Sequence, residues 1–286
     1  MQYGEIIELG RHKLMCGDST NPDDMAKLMQ TDHAKILFTS PPYSNIRDYK
    51  GADISIEHLV NFIPVTKDYA DVVCVNLGIL RKNWEIIQYW DEYIKKAKEC
   101  GLKLLSWNVW DKIQPGSIFQ QKAMFPLHHE FIFIFGKKAY KLNRTIPKKA
   151  PQRNTLLGTG RRTDGSIEKR YAKRKINEPN KQLGTVISLY AELGPIRLKH
   201  PAVMPVQLPV EYIKAMTNEG DFVLEPFAGS GTTLIACEQT GRKCLAMEIS
   251  EEYCDVIIER YREFKKAEEA TSATNATTEE SKEVRP

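Results

Sequence analysis

Asp221-Phe-Val-Leu-Glu225-Pro-Phe227-Ala-Gly229-Ser-Gly231-Thr-Thr233-Leu234 is the stretch on which the fold assignment turns. Asp221–Leu224 is apolar enough for a strand. Gly229 and Gly231 permit a tight turn and close approach of a ligand to the backbone. A helix begins at Thr232, with Thr232 or Thr233 placed to cap it. The next apolar run, Lys243–Ile249, contains Glu248, 19 residues after Gly229. An acid at that spacing, at the end of the second strand, can accept hydrogen bonds from ribose hydroxyls. A dinucleotide site would have a third glycine where Leu234 stands. S-adenosylmethionine lacks a phosphate and carries an ammonium group, which Glu225 could hold directly or through water. The pattern favours S-adenosylmethionine over a dinucleotide, and a plain structural turn is the remaining alternative.

Moving outward, further apolar runs read as strands: Lys13–Cys16, Ala34–Thr39, Asp71–Leu77, Lys103–Trp110 and Glu130–Phe135. Most are continuously apolar, which suits strands covered on both faces of a mostly parallel sheet. Helical spacing appears over Trp84–Cys100, closed by Gly101, over Thr232–Thr240, closed by Gly241, and over Glu251–Lys266. Alternating strands and helices imply a doubly wound α/β domain. The stretch from Lys138 to Leu198 breaks the rhythm and reads as an inserted module. Residues 266–286, polar and repetitive in Ala, Thr and Glu, read as a disordered tail. The expected divisions are therefore 1–137, 138–198, 199–265 and 266–286.

The 286 residues carry a net charge of +4, but unevenly. Between Lys137 and Lys175 there are 14 basic and 2 acidic residues, leaving 27 basic and 35 acidic elsewhere. A local +12 on a body of −8 suggests a footprint for a polyanion, against a merely solvated basic loop. No apolar run is long enough for a transmembrane helix, and the N-terminal stretch lacks a signal-peptide core. Six scattered cysteines without a Cys-x-x-Cys pair argue for reduced thiols, and no metal site is expected. The expected location is the cytoplasm, for a prokaryotic or phage-type protein acting on the nucleoid.

The strand Ala34–Thr39 runs into Ser40-Pro41-Pro42-Tyr43. Two prolines end the strand and fix the backbone, leaving carbonyls and the Ser40 hydroxyl as the polar atoms. A rigid set of acceptors beside an aromatic ring suits a planar ligand with an amino group. Ser40 Oγ and the Pro41 carbonyl would accept from the amine while Tyr43 stacks on the ring. In isolation the turn would read as an ordinary strand terminator.

The turn is not isolated. The chain resembles the β group of the DNA amino-methyltransferases. Their hallmarks are Asp, Asn or Ser followed by Pro-Pro and Tyr or Phe, and a glycine motif like Phe227-Ala-Gly229-Ser-Gly231-Thr-Thr233. The order here, amine motif first and cofactor motif last, is that group's permuted order. Cys16-Gly17-Asp18-Ser19, Trp107–Lys112, His129–Phe135 and His200–Val206 resemble further elements of the group. The resemblance implies a circularly permuted S-adenosylmethionine-dependent methyltransferase fold, with the inserted module as target-recognition domain. It assigns catalysis to Ser40, Pro41, Pro42 and Tyr43, and the cofactor to Asp18, Glu225, Phe227, Gly229, Gly231, Thr232 and Glu248. DNA contacts are expected from Arg47, Arg153, Arg161, Arg162, Arg170 and Arg174. Asn45–Gly51 reads either as a loop over the target base or as a plain surface loop.

The implied reaction is transfer of a methyl group from S-adenosylmethionine to the exocyclic amine of a base flipped out of double-stranded DNA. Ser before Pro-Pro points to the N4 amine of cytosine, with N6 of adenine as the alternative and an RNA or protein amine behind both. Carbon-5 methylation is set aside, because it needs a Pro-Cys nucleophile that the chain lacks. A cognate restriction endonuclease is a candidate partner, and the oligomeric state is open, a homodimer included.

Overall fold

The computed structural model describes residues 1–42, 55–113, 125–147, 156–171, 179–191 and 204–283, with 156–159, 168–171 and 272–283 as backbone only. In chain order the first strands are β1 (Ile6–Leu9), β2 (His12–Cys16), β3 (Ala34–Thr39), β4 (Ala70–Gly78), β5 (Leu80–Lys82), β6 (Glu85–Ile87), β7 (Lys103–Asp111) and β8 (His129–Gly136). There follow β9 (Arg144–Pro147), β10 (Leu156–Arg161), β11 (Ile167–Tyr171), β12 (Asn180–Gln182), β13 (Val186–Ser188), β14 (Phe222–Glu225) and β15 (Lys243–Glu248). The helices are α1 (Pro22–Met29), α2 (Ile56–Leu59), α3 (Phe62–Thr66), α4 (Trp90–Glu99), α5 (Gln207–Met216), α6 (Thr232–Thr240) and α7 (Glu251–Glu283).

Nine strands form one sheet in the order β1-β2-β15-β14-β3-β4-β8-β7-β13. From β2 to β4 all neighbours run parallel, while β8 lies antiparallel between β4 and β7. Side chains alternate across the sheet. Ile36, Phe38 and Cys74 enter a core beneath α5, α6 and α7, where Tyr212, Leu234 and Ile257 meet them. Leu37, Val73 and Val75 enter a second core on the other face with Met25, Phe62 and Tyr93 of α1, α3 and α4. Two covered faces explain why the central strands are continuously apolar. The result is the three-layered, mostly parallel α/β architecture expected of the chain. Among the described residues no helix is long and apolar enough to cross a membrane.

The centre of the sheet joins the two ends of the chain. β14 and β15 fit between β2 and β3, pairing Val223 with Ile36 and Glu248 with Cys16.

Three expectations need correction. The helix over Trp84–Cys100 begins only at Trp90. Residues 80–87 form the β5–β6 hairpin instead, with Trp84 in its turn at φ 70°. The helical spacing of Trp90, Tyr93 and Ala97 is real, and Gly101 closes the helix at φ 76°. The segment from 266 on, expected to be disordered, continues α7 to Glu283, consistent with its Ala, Glu and Lys content. The stretch 138–198 is not wholly separate from the body. β13 pairs with β7 at the sheet edge, and Asn143 Nδ2 donates to the Lys214 and Thr217 carbonyls at the end of α5, at 3.1 and 2.9 Å. Among the described residues of that stretch there are also two small antiparallel pairs, β9 with β12 and β10 with β11.

Candidate active site

Parallel strands deliver their C-terminal ends to one edge, and in open α/β sheets ligands bind there. The ends of β2, β15, β14, β3 and β4 present Asp18, Glu248, Glu225, Thr39-Ser40 and Asn76 in that spatial order. β8 runs the other way, so its first residues, including Glu130, reach the same edge.

The glycine turn is built as its sequence requires. Gly229 and Gly231 have φ of 54° and 80°, a region that L side chains rarely adopt. A Cβ on Gly231 would also lie 3.1 Å from Ile257 Cγ2 of α7. The Gly229 N–H donates to Glu248 Oε2 at 2.7 Å, and the Ser250 N–H to Glu248 Oε1 at 3.0 Å. Burial still pushes the Glu248 carboxyl up to about 7. Gly17 N–H donates to the Glu248 carbonyl at 3.0 Å, which sets Asp18 beside it. Asp18 Oδ1 accepts from the Thr20 N–H and hydroxyl, both at 2.8 Å.

Neither threonine caps α6. Gly231 is the cap residue and no side-chain cap bond forms. Instead Arg260 Nη1 donates to Thr232 Oγ1 at 3.1 Å, and the Thr233 hydroxyl donates to Glu225 Oε2 at 2.7 Å. Thr232 is thus tied to α7 and Thr233 to the acid before the turn. Phe227 stacks edge-on against Phe62 at 5.3 Å.

Glu225 joins the two sequence motifs. It is buried, and it accepts from the Thr39 hydroxyl, the Thr233 hydroxyl and the Phe227 N–H. Three of its roughly four acceptor sites are therefore held by the protein, Thr39 being the residue before Ser40. Desolvation pushes its carboxyl up to about 8 despite these bonds.

Behind Ser40 lies a polar chain that the sequence reading missed. Asn76 Nδ2 donates to Ser40 Oγ at 3.3 Å and to Glu130 Oε2 at 2.7 Å. Lys112 Nζ meets Glu130 Oε1 at 2.5 Å. Asn76 and Glu130 are both buried. The signal was present: an Asn inside Val-Val-Cys-Val-Asn-Leu and a Glu heading an aromatic strand are polar groups that must find partners once buried.

Ser40, Pro41 and Pro42 are placed at this edge; Tyr43 and Arg47 lie outside the described residues, as do Arg153, Arg174 and His200–Val203. Arg161 and Arg162 are exposed at the head of the β10–β11 hairpin, where Arg162 N–H donates to Ser166 O at 2.9 Å. Arg170 lies on β11, described as backbone only.

Comparison with known proteins identifies the family. A family model for the N6/N4 DNA methylases matches residues 34–259, from the start of β3 into α7. The chain belongs to the N6/N4 DNA methylase family. This methylase is 39% identical over 282 residues to the Type II methyltransferase M.Cfr9I of Citrobacter freundii, covering 91% of each chain. Among solved structures it resembles the PvuII DNA methyltransferase described as cytosine-N4-specific, at a TM-score of 0.61, 17% identity, and 91% and 90% of the two chains. It also resembles the M1.HpyAVI–SAM complex, at a TM-score of 0.59, 20% identity, and 86% and 97% of the two chains. At these identities the two structures establish the shared fold.

Proposed function

We propose that the methylase transfers a methyl group from S-adenosylmethionine to the N4 amine of a cytosine flipped out of double-stranded DNA. The observation that carries the proposal is Glu225. It ties the glycine turn to Thr39, so the cofactor motif and Ser40-Pro41 share one edge. The residues present fit the cofactor. Asp18 and Glu248 offer acceptors on neighbouring strand ends, with an ammonium-compatible acid, Glu225, one strand further on. The M1.HpyAVI neighbour was solved as a SAM complex, which supports the same choice.

When bound, S-adenosylmethionine supplies an electrophilic sulfonium methyl. Asp18, Glu248 and the glycine turn bind and orient it. An exocyclic amine is a poor nucleophile because its lone pair is conjugated with the ring. Ser40 Oγ and the Pro41 carbonyl accept from its two N–H groups and localise that lone pair. Asn76 holds Ser40 Oγ in place, so positioning supplies much of the acceleration. Tyr43 stacks on the extruded base. The exposed arginines at the β10–β11 head contribute phosphate contacts.

Cytosine is favoured over adenine because position 40 carries a neutral hydroxyl. A hydroxyl can donate to cytosine N3 as well as accept from the amine, which an ionised Asp cannot. Digestion of methylated DNA to nucleosides, with chromatography and mass spectrometry, tests the assignment. N4-methylcytosine is expected. N6-methyladenine as the main product would overturn the base but keep the mechanism, and 5-methylcytosine would overturn both.

A further inference from the structure

The β5–β6 hairpin has no role in the site described so far, yet it grows from the same edge. β4 ends at Gly78, and Asn76, two residues earlier, holds Ser40. On the return of the hairpin the Tyr89 hydroxyl donates to the Gly78 carbonyl at 2.7 Å. The arms pair Leu80 with Ile87, Arg81 with Ile86 and Lys82 with Glu85, leaving a two-residue turn, Asn83-Trp84. An arm of three residues puts that turn roughly 10 Å from its root.

The turn is chemically odd. Asn83 and Trp84 have φ of 50° and 70°, the mark of a type I′ turn, whose second position is ordinarily Gly. A bulky aromatic there is strained, and such strain clusters at functional sites. Trp84 gains no burial in return, being 69% exposed. Ile86 and Phe125 are exposed as well, Phe125 being held to the hairpin by Arg81 Nη2 on its carbonyl at 3.4 Å. The Nε and Nη1 of Arg81 are shielded from water and have no hydrogen-bond partner among the described residues. An exposed apolar tip beside an exposed Lys82 is the complement of a base stack and its phosphate.

We propose that this hairpin is a second DNA-contacting element. Trp84 stacks against the bases beside the extruded target, and Lys82 takes the flanking phosphate. The proposal rests on the DNA methyltransferase reading above. Extrusion removes the stacking of the target base on its neighbours, and an exposed aromatic or apolar wedge at the gap replaces it. A protein partner with an apolar patch would cover Trp84 but offer no phosphate to Lys82.

The test uses the full chain, unmethylated plasmid DNA and S-adenosylmethionine with a tritiated methyl group. The unaltered protein is expected to label the DNA, and its tryptophan emission to fall when DNA is added. Trp84→Ala should raise the KM for DNA about tenfold or more, with the KM for the cofactor unmoved. Trp84→Phe should recover most of that loss while abolishing the emission change, which assigns the signal to Trp84. Lys82→Gln should lower the salt slope of DNA binding by about one phosphate. If the unaltered protein labels DNA but Trp84→Ala leaves its KM unchanged, the hairpin proposal falls and the reaction stands. A dimer lost in Trp84→Ala, with the DNA KM unmoved, would give the patch to a second copy and also overturn it. Failure of the unaltered protein to label DNA, while it still binds the cofactor, would overturn the underlying reading instead.

Discussion

Glu225 concentrates the chemistry of the edge in one carboxyl. In the free protein burial raises it from an ordinary 4.5 to about 8, so at neutral pH it is mostly protonated. The folded state then holds a proton that the unfolded state has released. The stabilisation is complete below about 4.5 and is lost as pH rises towards 8. Thermal melts of the free protein should show this slope, to which the buried Glu248 carboxyl, raised to about 7, adds with the same sign, and Glu225→Gln should make it shallower, most clearly between about 7 and 8. A cationic cofactor favours the ionised form, so binding should release a proton and tighten as pH rises towards 8. Calorimetry in two buffers of different ionisation enthalpy would read that proton; equal heats would refute the linkage. Ser40 and Asn76 predict a different signature. Ser40→Ala removes an acceptor that acts mainly on the reacting amine, so turnover should fall far more than cofactor affinity. Asn76→Leu removes the donor that holds Ser40 Oγ and should cost turnover about tenfold, on the order of 1–2 kcal/mol. Both are checked by comparing kcat with the cofactor Kd.

At the level of the element, the strand–turn–helix of β14 and α6 is expected to bind the cofactor only while Gly231 keeps its left-handed backbone. Gly231→Ala combines φ 80° with an approach of 3.1 Å to Ile257. It should lower stability by about 1–2 kcal/mol, measurable as a fall in Tm. In the unaltered protein, S-adenosylmethionine at 100 times its Kd should add about 2.7 kcal/mol, and the alanine variant should lose much of that gain. The β10–β11 hairpin predicts a salt signature. Arg161 and Arg162 are exposed at its head, so replacing both by Ala should reduce the log–log salt slope of DNA binding by nearly one for each phosphate left unneutralised. Cofactor affinity should stay unchanged, as the hairpin shares no strand with the main sheet.

The whole molecule is held together by its permuted order. β3 finds its partner β14 some 180 residues later, and β2 pairs with β15 from still further along. A fragment of residues 1–137 therefore leaves β2 and β3 without the strands that join them, with open edges on apolar faces. It should be unfolded or aggregated by circular dichroism and limited proteolysis. Residues 199–286 added in trans should restore structure. By contrast, α7 is tied to the body through Lys265, which meets Glu238 at 3.0 Å and also pairs with Glu268 at 2.7 Å. Truncation after Thr271 should leave folding and methylation intact.

The strands β2, β3, β4, β7, β8, β14 and β15, the glycine turn and the Ser40-Pro41-Pro42 terminator could be read along the chain because each depends on neighbours within a few residues. Apolar runs announce buried strands, and Gly229 and Gly231 announce positive φ. The helix start at Trp90 was not legible, because Trp84 and Ile87 mimic helical spacing while the antiparallel pairing of Leu80 with Ile87 competes for the same residues. Asn76, Glu130 and Lys112 stood in the sequence as isolated polar residues, 54 and 18 positions apart along the chain. Only the antiparallel placement of β8 against β4 and β7 brings Glu130 to the edge where Ser40 waits. The local sequence thus determined the continuously apolar strands of the central sheet and the two turns that end β3 and β14. The order of strands decided which of those turns face one another, since strand pairing joins residues whose separation along the chain has no bearing on their separation in space.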